Sequence, residues 1–194
     1  MQIEYEATFP NVNKSAVRRR LKGAGAKLLR KEFLQKRIPF DLPKGNFDLN
    51  KFVRVRDEGD KVTLTYKHFE GKKIEDQKEI NLEISNFNDA IEILELIGCR
   101  KISYQETKRE IWKLNGVEIM IDTWPFLEPL VEIEGKSEKA VKKVSEKLGF
   151  DYRKAIFSSV TKIYEMKYGV SGKIVNTEPK IVFKMRNPFL KKKK

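Results

Sequence analysis

Two short alternating stretches of this chain present carboxylates in pairs. Glu4 and Glu6 share one face of Ile3–Phe9, opposite Ile3, Tyr5, Ala7 and Phe9, and Glu132 and Glu134 share another, opposite Val131 and Ile133. Residues two apart on a strand point the same way. A third stretch reverses the sign, with Arg54 and Arg56 opposite Val53 and Val55. Asp122 shares a face with Glu118 and Met120, Lys67 with Thr63 and Thr65, and Glu79 with Gln77, Asn81 and Glu83. Sheet faces that serve only solubility mix signs within a strand; several of these strands are sorted by sign. Adjacent carboxylates repel each other unless a cation lies between them, and oxygen ligands with retained water suit Mg²⁺ or Mn²⁺. Arginine grips phosphate oxygens in bidentate fashion and lysine acts as a point charge. A metal beside basic residues is what phosphoryl-transfer chemistry on a polyphosphate requires.

The elements that must position these groups alternate between half-polar strands and short amphipathic helices. Strands are expected at Ile3–Phe9, Phe33–Asp41, Lys51–Arg56, Lys61–Lys67, Gln77–Ile84, Ile102–Leu114, Val117–Asp122 and Leu130–Glu134. Asp57-Glu58-Gly59-Asp60 and Asn115-Gly116 are the turn signals between successive strands. Helices are expected from Asn13 to Ala24, Asn88 to Ile97 and Ser137 to Leu148, with a last one from Asp151 to about Tyr168. The expected class is α+β: an antiparallel sheet with an apolar face under helices and a charged face turned the other way. Closed into a barrel, that sheet would gather carboxylates and guanidinium groups in one polar interior.

Composition narrows the partner. The 194 residues carry 41 Lys and Arg against 28 Asp and Glu, a net charge of +13, and 40% are hydrophobic, enough for a core. The positive balance suits a polyanion. Residues 173–194 hold eight basic groups and one acid, so +7 lies in this end and +6 in the rest. No apolar run reaches the ~18 residues of a membrane span, and the first ten residues do not read as a secretory signal. A lone Cys99 fits a reducing, cytoplasmic setting, and a single His68 leaves no material for a histidine metal site or a Ser-His-Asp triad. His68 reads as a surface or packing residue, and Trp124-Pro125-Phe126 as a loop at the barrel mouth. The division expected is a domain over 1–170 and a basic tail over 171–194, a flexible end with an optional role in contacting nucleic acid or an anionic surface.

Taken together, Glu4-Tyr5-Glu6, Arg54-Val55-Arg56, Leu64-Thr65-Tyr66-Lys67, Gln77-Lys78-Glu79, Lys108-Arg109, Gly116-Val117-Glu118 leading to Ile121-Asp122, and Val131-Glu132-Ile133-Glu134 resemble the CYTH family. These are the triphosphate tunnel metalloenzymes, among them class IV adenylate cyclases and thiamine triphosphatases. The resemblance runs from Met1 to about Tyr168 and implies a closed eight-stranded antiparallel β-barrel with helices packed outside. By the same resemblance, Glu4, Glu6, Asp122, Glu132 and Glu134 would hold one or two divalent metals, Mg²⁺ or Mn²⁺. Arg54, Arg56, Lys67 and Arg109 would bind the triphosphate, and Glu79 would orient those basic groups.

Two positions depart from the family pattern. Thr8 stands where Glu-x-Glu-x-Lys has its lysine, and Thr107-Lys108-Arg109 stands where a Lys-x-Arg is expected. Lys36, Arg37 and Lys108 are the candidates to make up the lost cations, Arg37 being on the parity of Gln35. The substrate implied is a small triphosphate: ATP, thiamine triphosphate or inorganic triphosphate. The reaction implied is either cyclisation of ATP to cyclic AMP and pyrophosphate or triphosphate hydrolysis. The alternative is a non-catalytic module that binds polyphosphate or a nucleotide. A dimer and a monomer are both compatible with the sequence.

Overall fold

A computed structural model describes residues 1–48 and 50–190. Its frame is a ring of antiparallel strands. In chain order the strands are β1 (Gln2–Ile3), β2 (Tyr5–Phe9), β3 (Lys27–Asp41), β4 (Lys51–Asp57), β5 (Val62–Phe69), β6 (Gln77–Ile84), β7 (Arg100–Lys101), β8 (Tyr104–Leu114), β9 (Val117–Thr123), β10 (Leu130–Gly135) and β11 (Lys180–Ile181), with β7 and β11 lying off the ring. The helices are α1 (Lys14–Gly23), α2 (Phe87–Leu96), α3 (Glu138–Lys147), α4 (Thr161–Tyr168) and α5 (Gly172–Asn176).

The hydrogen-bonded order is β1-β6-β5-β4-β3-β8-β9-β10-β2. Its two ends are consecutive in sequence, because β1 and β2 are halves of one segment interrupted at Glu4. Ile3 pairs with Lys78 on one side and Phe9 with Val131 on the other, so this segment shuts the ring as its eighth stave. Gln77 stitches the interruption. Its carbonyl accepts from the Glu4 N–H at 2.8 Å, and its side-chain amide donates to the Glu6 carbonyl at 2.9 Å.

The apolar core lies outside this ring. Ala7, Trp112, Ile119, Ile121, Val131 and Ile133 point outward from β2, β8, β9 and β10 and meet Val17 and Leu21 of α1 and Val141 and Val144 of α3. A second cluster places Leu94 of α2 over Ile38, Phe40 and Val55. The helix starts follow their capping residues: Asn13 accepts from Ala16 N at 2.9 Å, Asn86 from Asn88 N at 2.8 Å and Ser137 from Ala140 N at 3.3 Å. Asn115 and Gly116 both take positive φ, 52° and 80°, as the two-residue hairpin between β8 and β9 demands.

Two of the expected elements change. β3 begins at Lys27, six residues earlier than its alternation indicates, because register shifts between Leu28 and Phe33 break the period of two. The helix expected from Asp151 is only a three-residue 3₁₀ turn, Tyr152–Lys154, and α4 starts at Thr161. Between them Ile156 exchanges both backbone hydrogen bonds with Thr8, at 3.1 and 2.9 Å, and this bridge holds the segment extended.

The stretch after Val170 packs instead of trailing free. Val175, Ile181 and Phe189 are buried with Tyr164, Tyr168, Trp124 and Leu130, and β11 adds in parallel to the end of β8 through Tyr104 and Gln105. The four lysines Lys191–Lys194 lie outside the described residues. No helix among the described residues is long and apolar enough to cross a membrane.

Candidate functional site

The ring encloses a cavity of about 390 Å³ whose wall carries Glu4, Glu6, Glu132 and Glu134 from β1/β2 and β10, and Arg37, Arg54, Arg56, Lys67 and Arg109 from β3, β4, β5 and β8. Glu79 also lines it. The period of two explains this gathering, since each of these residues has the inward parity of its strand and its neighbours pack outward.

On the acidic side, one carboxylate oxygen from each of Glu4, Glu6 and Glu134 lies within 4.8 Å of the other two. Burial and the neighbouring Glu132 and Glu4 carboxylates push Glu6 well above the usual carboxylate range. Burial and Glu4 raise Glu134 to about 7. Glu4 runs the other way. Burial works against its charge, but the Lys67 ammonium, 2.7 Å from Oε2, holds its pKa below the ordinary value. Lys67 also reaches Glu79 at 3.6 Å, and burial notwithstanding, Glu4 holds its pKa up.

Asp122 and Glu132 are engaged differently. Asp122 is fully buried and accepts from Arg109 Nε at 2.8 Å, and the Arg109 guanidinium also bonds Glu132. Burial and the Asp122 charge raise Glu132, with Arg109 opposing them. These two acids are therefore matched by a cation of the chain, whereas the Glu4–Glu6–Glu134 group has only Lys67 against three carboxylates.

The basic side has the opposite imbalance. Arg37 is buried and donates to Gln35 Oε1 at 2.7 Å and Thr107 Oγ1 at 2.6 Å, with its guanidinium 4.6 Å from the Trp124 ring centre. Arg54 donates to Thr65 at a long 3.3 Å, and Arg56 pairs with Glu58 at 2.6 Å. The Nε atoms of Arg37, Arg54 and Arg56 are buried with no hydrogen-bond partner. Burial and the adjacent Arg54 and Arg56 depress Arg37, and burial with Arg54 and Arg109 brings Arg56 to about 9, still a cation at neutral pH. Three arginines on one cavity wall, of which Arg37 and Arg54 have no carboxylate partner among the described residues, fit an anion rich in oxygen.

A CYTH domain model matches residues 2–165. The chain belongs to the CYTH domain family. A Methanocaldococcus jannaschii protein named "Putative adenylate cyclase" is 29% identical over 150 residues, 75% of this chain and 81% of that protein. A Pyrococcus horikoshii protein of solved structure is 25% identical with a TM-score of 0.68, over 80% of this chain and 96% of that one. A Hippeastrum protein, described as a "Putative adenylyl cyclase" with a dominant triphosphatase activity, aligns at 15% identity and a TM-score of 0.54 over 87% and 97% of the two chains. At that identity it speaks to the fold alone.

In this CYTH domain not every residue singled out from the sequence reaches the cavity. Lys36 and Lys108 are exposed on the outer surface of β3 and β8, and Lys108 Nζ lies 5.1 Å from the centre of the Phe183 ring. Arg37 alone of the three candidates points in, next to Thr107. His68 faces out and lies 3.5 Å from Glu70. The cavity wall also holds Phe52, Phe69 and Asn81, whose parity with Arg54, Lys67 and Glu79 made them findable. Ser158, Ser159, Thr161 and Asn176 line it too, brought in by long-range packing that left no local signal.

The acidic trio suits a divalent cation: oxygen-only donors, converging, with Glu6 and Glu134 unable to ionise easily alone. Among the residues expected to hold a metal, Glu4, Glu6 and Glu134 have this fit.

Proposed function

We propose that this CYTH domain is a metal-dependent enzyme acting on a triphosphate held in the barrel. The observation that carries this reading is the cluster of Arg37, Arg54 and Arg56 on one wall of a cavity whose far wall concentrates carboxylates. A bare anion binder gains nothing from Glu4, Glu6 and Glu134 beside its ligand.

In this reading Arg37, Arg54 and Arg56 take the non-bridging phosphate oxygens, and their fixed guanidinium planes set which phosphorus lies in line with a nucleophile. Lys67 neutralises part of the polyphosphate charge from the acidic side, while Glu79 and Glu4 keep it protonated and oriented. Arg109 holds Asp122 and Glu132 in place, with its remaining reach toward the phosphates. A Mg²⁺ or Mn²⁺ ion on Glu4, Glu6 and Glu134 would supply charge neutralisation at the phosphoryl oxygens.

Two outcomes share this scaffold. Attack of a ribose 3′-hydroxyl on the α-phosphorus gives cyclic AMP and pyrophosphate, in keeping with the name of the Methanocaldococcus relative. Attack of water on the γ-phosphorus gives hydrolysis. Arg37 restores a cation beside Thr107, which stands where the family has a lysine, and so keeps up the grip on the triphosphate. Incubation with ATP, thiamine triphosphate and inorganic triphosphate, each with Mg²⁺ or Mn²⁺, tests the reading by product analysis. Cyclic AMP with pyrophosphate, or release of phosphate, is the expected result. No product from any of the three overturns it.

A further inference from the structure

α2 differs from the helices that cover the other side of the ring. In α1 and α3, Val17, Leu21, Val141 and Val144 are all turned into the core, and neither helix exposes a large apolar side chain. α2 has apolar residues on two sides. Leu94 is buried over Ile38, Phe40 and Val55, with Phe87, Ala90 and Ile91 packed beside it. Ile93, Leu96 and Ile97 are left outside this contact, 58%, 78% and 60% exposed. Phe47, 50% exposed, extends the patch, since it lines a groove with Leu42 and Gly98 at the C-terminal end of the helix.

The charges around this patch are sorted along the helix. Residues 87–97 carry Asp89, Glu92 and Glu95 and no base, in a chain of net charge +13. Asp89 and Glu92 sit towards the N-terminal end of α2, and Lys44 and Lys101 lie beyond its C-terminal end, Lys44 in the groove beside Gly98. None of these four is in an ion pair among the described residues, whereas Arg100 between them is taken by Asp41.

Such a polarity is self-complementary under a two-fold axis, where a contact made by one copy is returned by the other. With the axis between Ile93 and Leu96, two antiparallel α2 helices set Ile93 against the partner's Leu96. Asp89 and Glu92 then lie beside the partner's Lys101 and Lys44. A parallel pair would set acid against acid.

We infer that the chain dimerises through α2, two copies packing antiparallel about a two-fold axis with Ile93, Leu96, Ile97 and Phe47 between them. These four side chains leave on the order of 400 Å² of apolar surface to water, about half of one side of a standard interface, and the charged ends of the helix supply the rim. An anionic bilayer is a poor occupant, because Asp89, Glu92 and Glu95 would repel it. None of the residues of this face lines the triphosphate cavity, so the inference stands apart from the reading above.

Sedimentation equilibrium of the full chain between about 1 and 100 μM tests this, with a dimer of Kd at or below about 10 μM expected. Leu96→Glu, and separately Ile93→Glu, are expected to weaken association at least about 100-fold, since each buries a charge without a counter-ion. Both positions are exposed in the single chain, and an unchanged circular dichroism spectrum checks that the variants fold. Asp89→Lys with Glu92→Lys should weaken it about tenfold, as should Lys44→Glu with Lys101→Glu. A one-to-one mixture of these two double variants should associate like the wild type, because each copy then meets opposite charges. Leu82→Glu, exposed on β6, is expected to leave the dimer intact. A wild-type chain that is monomeric across this range overturns the inference, as does a dimer that survives Leu96→Glu and Ile93→Glu. A dimer broken only by Leu82→Glu places the contact on β6 and also overturns it. Failure of the mixture to associate overturns the antiparallel packing.

Discussion

Arg37 is held by Thr107, whose hydroxyl accepts from its guanidinium at 2.6 Å and donates to Gln35 at 3.0 Å across the β3–β8 ladder. The two strands exchange a cation: what one lacks at position 107 the other supplies from position 37. Thr107→Val keeps the shape but removes the acceptor. It is expected to lower stability by about 1–3 kcal/mol, the cost of a buried hydrogen bond to a charged group. Triphosphate affinity should fall with it, and Thr107→Ser should restore both. Thermal melts and calorimetry on the three forms decide this. A valine variant of unchanged stability and affinity would show that the hydroxyl does not hold Arg37.

Arg54 has no carboxylate partner among the described residues, only the long bond to Thr65. Arg54→Gln is therefore expected to leave the ligand-free protein as stable as before, or more so, by relieving repulsion with Arg37 and Arg56. Triphosphate affinity is expected to drop about 10–100-fold, the worth of charge-assisted hydrogen bonds. A variant that loses stability but retains affinity would contradict this.

The acidic trio makes a signed prediction about pH. The folded chain keeps protons on Glu6 and Glu134 that the unfolded chain has already released, since Glu134 titrates at about 7 against an ordinary 4.5. Where the native state binds more protons than the unfolded one, stability falls as pH rises. The metal-free protein should therefore lose melting temperature as pH climbs from about 4.5 to about 7. Mg²⁺ or Mn²⁺ binds the ionised form, so adding either should flatten the slope and release protons. A slope that metal does not change would remove the trio from consideration as a metal site.

Lys36 and Lys108 provide a contrasting pair. Both are exposed outside the ring, so Lys36→Ala and Lys108→Ala are expected to change triphosphate affinity less than twofold. A tenfold loss on either would place the phosphates elsewhere.

Phe189 is fully buried and packs on Tyr164 and Tyr168, with ring centres 4.9 and 5.6 Å away. Phe189→Ala is expected to cost about 3–5 kcal/mol, as for other large-to-small changes in a core. Denaturant unfolding measures this directly, and a loss below about 1 kcal/mol would mean the segment is only loosely attached.

Much of the site was readable because a strand has a strict period of two. Glu4, Glu6, Arg54, Arg56, Lys67, Glu79, Glu132 and Glu134 all lie on the cavity side that their alternation assigns. Parity grouped Arg37 with Gln35 yet left Lys36 and Lys108 among the candidates, and it could not say that Thr107 would receive Arg37. Which carboxylates would be left for a cation was not legible. Arg109 bonds Asp122 because register sets the two side by side, and register is a property of the folded sheet. The extended bridge at Ile156 was equally hidden, since its partner Thr8 is far away in sequence and overrides the local tendency toward helix. In residues 171–194 the run Ile181-Val182-Phe183 was readable as an apolar stretch, but the scattered Val175 and Phe189, which also fasten the segment down, were hidden by the basic composition around them.

The interruption at Glu4 has a consequence for how the molecule is made. One segment near the start of the chain bonds β6 through Ile3 and β10 through Phe9, so its second partner emerges from the ribosome some 120 residues after it. Until then the growing sheet has two open edges, and its interior arginines and carboxylates stand in water. Shutting the ring is thus a late event of high sequence separation, expected to set the pace of folding. Polypeptides halted before β10 would display those edges to one another.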